Sequence, residues 1–147
     1  MTQAATMTGH TIDDISVGMT EVFEKSVSEQ DIAAFADVSG DYNPVHMDQA
    51  YAETTMFKGR IAHGMLSAAY ISTVLGTRLP GPGCIYLSQS LKFRAPVRIG
   101  DTVVAKVEVT AVDKERRRVT FATSCKVGDT VVVDGEAQLM VPAGSGG

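Results

Sequence analysis

Apolar and polar positions change rhythm twice along this chain. From Met19 to Val27 they alternate one by one, Met19, Glu21, Phe23, Lys25 and Val27 against Thr20, Val22, Glu24 and Ser26, which predicts a first strand. From Ser28 the period becomes helical. Ser28 is a good N-cap, Asp31 stands three residues on as in a capping box, Ile32, Phe35, Ala36 and Val38 follow at helix spacing, and Gly40 closes the element. Asp48 caps a short helix through Ala52. Between Ile61 and Thr77 apolar residues fall on nearly every side, so this helix is expected to be surrounded by protein. Leu79-Pro80-Gly81-Pro82-Gly83 ends it.

Beyond that break single alternation returns and persists. Ile85, Leu87, Gln89, Leu91 and Phe93 form one face of a half-buried strand that stops at Ala95-Pro96. Val103, Ala105, Val107, Val109 and Ala111 form the next, and Val119, Phe121, Thr123, Cys125 and Val127 the one after. Gly128-Asp129 marks a tight hairpin into Val131, Val133, Ala137, Leu139 and Val141. The order is strand, helices, then four consecutive strands read as a meander. Each strand has one greasy face, and the Ile61 to Thr77 helix is the element apolar enough to fill it. The expected architecture is therefore α+β, an antiparallel sheet wrapped around a central apolar helix, in one domain over residues 1–147 with 1–10 and 142–147 as frayed tails.

Composition narrows the function classes. With 147 residues, 44% hydrophobic and 20% charged, the chain reads as an ordinary globule large enough for its own core. A net charge of -4 argues against a nucleic-acid surface, and Arg116, Arg117 and Arg118 read as a solvated hairpin tip. Cys84 and Cys125 lack metal-ligand spacing and lie in apolar runs, so neither a metal site nor a disulfide is expected, and a reducing cytoplasm is. No secretory signal is evident at the N-terminus. His63, Ser67, Ser72, Thr73 and Arg78 interrupt the longest apolar region, so no membrane span is expected.

The chemistry concentrates in Ser39-Gly40-Asp41-Tyr42-Asn43-Pro44-Val45-His46. Asp41 and His46, two proton-handling groups, stand five residues apart with a proline between them that fixes φ and should keep the loop from becoming helical. Rigid placement suits general acid–base work, which needs donor and acceptor within about 3 Å of the target. The same residue types also make ordinary turns. A second junction, Ile61-Ala62-His63-Gly64-Met65, opens the apolar helix, whose first amides can receive developing negative charge. His63 beside it reads as positional. Gly64, Ala68, Ser72 and Gly76 recur every four residues and make a groove of small side chains, fit for tight packing or for a ligand.

Three stretches carry a family resemblance: Asp41-Tyr42-Asn43-Pro44-Val45-His46, Arg60-Ile61-Ala62-His63-Gly64-Met65, and Leu79-Pro80-Gly81-Pro82-Gly83-Cys84-Ile85-Tyr86-Leu87 leading into Gln89-Ser90-Leu91-Lys92-Phe93. From about Ile12 to Val141 the sequence resembles the MaoC-like (R)-specific enoyl-CoA hydratases, enzymes of the hotdog fold. The resemblance implies that Asp41 and His46 are the catalytic pair, that the Gly64 N–H binds the thioester carbonyl, and that Ser72 and Asn43 belong to the substrate site. Ser67, off the Gly64–Ser72 stripe, ranks below Ser72. It also implies an acyl-CoA substrate, no separate cofactor, and a homodimer joined edge to edge. Lys92, Arg94 and Arg98 stand near one strand end, where solvated residues or contacts to the nucleotide of coenzyme A are both consistent. Rival readings are a hotdog thioesterase, a dehydratase of acyl-carrier-protein thioesters, and a non-catalytic acyl-thioester binding subunit.

Overall fold

The computed structural model describes residues 8–144. After a single 3-10 turn at Ile12–Asp14 come β1 (Thr20–Ser26), α1 (Glu29–Ser39), α2 (Pro44–Met47), α3 (Gln49–Glu53), α4 (Gly64–Thr77), β2 (Ile85–Phe93), β3 (Thr102–Asp113), β4 (Arg118–Val127) and β5 (Thr130–Met140). All strand pairs are antiparallel, and the sheet order is β1-β3-β4-β5-β2. The expected four-strand meander is therefore corrected to three, β3-β4-β5. β2 pairs with β5, and residues 94–101 carry the chain back across the sheet to β3. On the way the Ala62 N–H donates to the Val97 carbonyl at 2.7 Å, which ties this crossover to the segment that leads into α4.

The core lies between the sheet and α4. Val103, Ala105, Val107 and Val109 of β3 and Val119, Phe121 and Cys125 of β4 are buried against Ile71, Val74 and Leu75 of the helix. Past a bulge between Val109 and Ala111 the parity of β3 switches, so Val112 packs inward where the alternation had put Ala111. Val38, counted on the inner face of α1, is 87% exposed, whereas Ile32 and Ala36 are fully buried.

Two expectations about burial fail together. α4 is not enclosed: Gly64, Met65, Ala69, Ser72 and Gly76 face outward in this single chain. β2 is not half-buried either, because it lies at the sheet edge with Ile85, Tyr86, Leu87 and Phe93 exposed. The helix can be apolar all round and still bury only the side that the sheet covers. The ends also depart from the frayed-tail reading where they are described. The His10 N–H donates to the Pro80 carbonyl at 2.7 Å, and the Ile12 N–H to that of Pro142 at 2.9 Å. Residues 1–7 and 145–147 lie outside the described residues.

Candidate active site

Local sequence explains how the acid and the imidazole are presented. α1 begins as predicted, with the Ser28 hydroxyl accepting from the Asp31 N–H and Asp31 reaching back to the Ser28 N–H. It ends at Gly40, whose φ of 81° is the left-handed value that glycine adopts without a Cβ penalty. The chain then turns through Asp41, whose carboxylate accepts from the Asn43 N–H at 3.1 Å. The proline does not exclude helix, contrary to expectation. Pro44 occupies the first position of the one-turn helix α2, where the missing N–H is no loss, and the Asn43 side chain caps it by accepting from the Val45 N–H at 3.1 Å. His46 thus sits within a helical turn.

Four hydrogen bonds lace this turn to the segment before α4. The Ile61 N–H donates to the Val45 carbonyl at 3.2 Å, His46 Nδ1 donates to the Ile61 carbonyl at 2.8 Å, Arg60 Nε donates to the His46 carbonyl at 2.6 Å, and His63 Nε2 donates to the Asp41 carbonyl at 2.9 Å. Since a carbonyl only accepts, His46 carries its proton on Nδ1, and in the neutral ring Nε2 is left as a free lone pair. Burial holds the His46 imidazole below the ordinary histidine range, against the raising effect of the Ile61 carbonyl; nearby His63 lowers it further and Asp41 opposes. The two rings stack with centroids 3.9 Å apart. Asp41, His46 and His63 each bring a donor atom within 4.8 Å of the others. Such a donor set also suits a divalent cation.

The imidazoles open on a cavity of about 540 Å³ lined by His46, His63, Gly64 and Ser67 and by an apolar wall that includes Met56, Phe57, Met65, Phe93, Val97 and Val133. Asp41 stands at its margin, exposed and outside the lining. Gly64 opens α4, and among the described residues nothing accepts from its N–H. A Cβ on Gly64 would lie 2.6 Å from Cδ1 of Phe93, so a side chain there requires that ring to move. Ser72 and Asn43 do not line the cavity: Ser72 is on the exposed face of α4 and Asn43 is occupied as a cap. Ser67, ranked below Ser72, is the serine on the lining and is 2% exposed. Its place one turn after Gly64 was the available signal. Phe93 and Met56 carried none beyond being apolar. Arg94 lines the cavity while ion-paired with Asp134 at 2.7 Å, and Arg98 reaches the Gly59 carbonyl at 3.5 Å.

A five-stranded antiparallel sheet packed on one long apolar helix, with an acid and an imidazole beside the helix's free amide end, defines a hotdog-fold protein equipped for proton transfer. The chain belongs to the MaoC-like family, whose MaoC like domain matches residues 11–136. It is 59% identical over 134 residues to an (R)-specific enoyl-CoA hydratase of Rhodospirillum rubrum, covering 91% of this chain and 93% of that protein. It is 55% identical over 130 residues to a 3-hydroxybutyryl-CoA dehydratase of Methylorubrum extorquens, covering 88% and 83%. Among solved structures, an unliganded R-hydratase of Pseudomonas aeruginosa superposes with a TM-score of 0.87 at 47% identity, covering 92% of this chain and 88% of that one.

Proposed function

We propose that this protein is a hydro-lyase that adds water to trans-2-enoyl-CoA to give (R)-3-hydroxyacyl-CoA, and runs the reverse dehydration. The observation that carries the reading is the convergence of Asp41 and His46, within 4.8 Å of each other, beside the cavity that Gly64 lines. Two acceptors at that separation can share one water, each about 2.8 Å from its oxygen. Such a water donates one hydrogen to the Asp41 carboxylate and one to His46 Nε2, which leaves its lone pairs facing the substrate. Attack of the oxygen on the β carbon moves electron density onto the thioester oxygen, where the Gly64 N–H and the positive end of α4 receive it. Asp41 acts as principal base, His46 orients the water and shares the relay, and a proton returns to the α carbon from the same side. Same-face delivery makes the addition syn, and the face of the β carbon presented to this water sets the configuration, (R) in this reading. Coenzyme A enters as part of the substrate.

The working unit in this reading is a homodimer. The unpaired edge of β2, with Ile85, Tyr86 and Leu87 exposed, is a template for a second copy, and the outward face of α4 also exposes apolar residues, Met65 and Ala69. Cys84 and Cys125 are free thiols, which suits a reducing cytoplasm. Among the described residues no helix is long and apolar enough to cross a membrane. Incubation with crotonyl-CoA tests the activity. Loss of the conjugated absorbance without release of free thiol, followed by oxidation of the product by an (R)-specific dehydrogenase, is the expected result. Thiol release at the rate of absorbance loss makes the protein a thioesterase instead.

A further inference from the structure

His63 is only 2% exposed, yet its ring is incompletely satisfied: Nε2 donates to the Asp41 carbonyl, and Nδ1 is buried with no hydrogen-bond partner. A buried nitrogen without a partner is a penalty that an apolar side chain of similar size would remove. Stability alone therefore does not account for histidine here. What histidine adds is a tether. Asp41 is exposed, and its other hydrogen bonds stay within its own loop, from its N–H to Ser39 Oγ at 3.1 Å and from the Asn43 N–H to its carboxylate. Among the described residues, the bond from His63 is the one that joins Asp41 to a different part of the chain, 22 residues away, and it comes from the residue directly before Gly64. The His63 ring meanwhile is held between Phe35 of α1, with centroids 4.9 Å apart, and His46, at 3.9 Å and 28° between planes.

We propose that His63 is a positioning residue of the hydration reaction: its Nε2–H fixes how far Asp41 reaches toward the shared water. The inference rests on the hydratase reading above. One side chain thereby links acid and oxyanion donor. Without the tether the loop from Gly40 to Asn43 keeps only its local bonds, and an acid displaced by about 1 Å can lose 100-fold in rate.

Two substitutions separate the tether from bulk. In His63→Gln the side-chain amide can still donate to the Asp41 carbonyl, whereas His63→Phe keeps a ring for stacking and has no donor. With crotonyl-CoA the expected outcome is a kcat for His63→Phe that is roughly 10- to 100-fold below that of His63→Gln. KM should stay within about threefold, and the thermal midpoint of His63→Phe should be no lower than that of His63→Gln. Should His63→Phe fail to fold, His63→Leu, also unable to donate, takes its place. Equal kcat in the two variants, whether both near wild type or both depressed, overturns the proposal. So does a fall in kcat that merely follows the thermal midpoint. Full activity in Asp41→Asn and His46→Gln is a different failure and removes the hydratase mechanism itself, and with it the role given to His63.

Discussion

At the scale of single residues, the site depends on which nitrogen of an imidazole is left free. His46 commits Nδ1 to the Ile61 carbonyl, so Nε2 is the atom available for proton transfer. Burial lowers its pKa, so the neutral ring persists below the ordinary value near 6.5. The acid limb of kcat/KM should therefore fall below pH 6.5, and a limb at or above that value contradicts the assignment. The same shift has a stability consequence of definite sign. An unfolded chain takes up this proton more readily than the folded one, so the contribution is full above about pH 6.5 and is lost as pH falls from there through the lower folded value. Urea titrations at pH 7.5 and 5.5 should show the loss, and His46→Gln should reduce it. Gly64 offers a second test, because a Cβ would meet the Phe93 ring at 2.6 Å. Phe93 is 55% exposed and lines the cavity, so its ring can swing aside at the expense of substrate room. Gly64→Ala should lower kcat/KM about tenfold or more, with partial recovery in the Gly64→Ala/Phe93→Ala double variant. Unchanged kcat/KM in Gly64→Ala contradicts the close-packing account.

At the scale of elements, short-range signals carried well. Ser28, Gly40 and Asp48 set helix ends where sequence placed them, because caps are satisfied within three or four residues of chain. The same local logic fails at Pro44: as a helix breaker it predicts a loop, but with Asn43 in front it starts a turn, and that turn is what buries His46. Gly40 is a clean probe of how the α1 end aims Asp41. Nothing lies within 4 Å of a Cβ built there, so Gly40→Ala should cost only the left-handed backbone term, about 1 kcal/mol, read by chemical denaturation. A cost near zero would mean that the loop tolerates another backbone, and the rigid aiming of Asp41 would be lost with it.

At the scale of the whole molecule, what sequence hid was long-range. Alternation located β2 but not its partner, because pairing with β5 requires a crossover that leaves no local trace. Ser67 and Ser72 differ only in which side of α4 the cavity takes, and that is decided by Phe93 and the Ile61–His63 segment packing over one end. The exposed face of α4 and the bare edge of β2 are also properties of the assembled chain, and they give the oligomer its test. Sizing under native conditions should return twice the chain mass. Leu87→Lys, which places a charge on the open edge, should shift the protein toward the monomer, and a wild-type monomer contradicts the edge-pairing account.

Whether Asp41 and His46 act on one shared water is read from kcat for crotonyl-CoA hydration by wild type, Asp41→Asn and His46→Gln, with near-wild-type thermal midpoints verifying the fold. Each substitution should lower kcat by about 100-fold or more, and the double variant should lose little beyond the worse of the two singles, as expected for groups working as a unit. Near-normal turnover in either single variant, or losses that multiply in the double, would contradict the shared water.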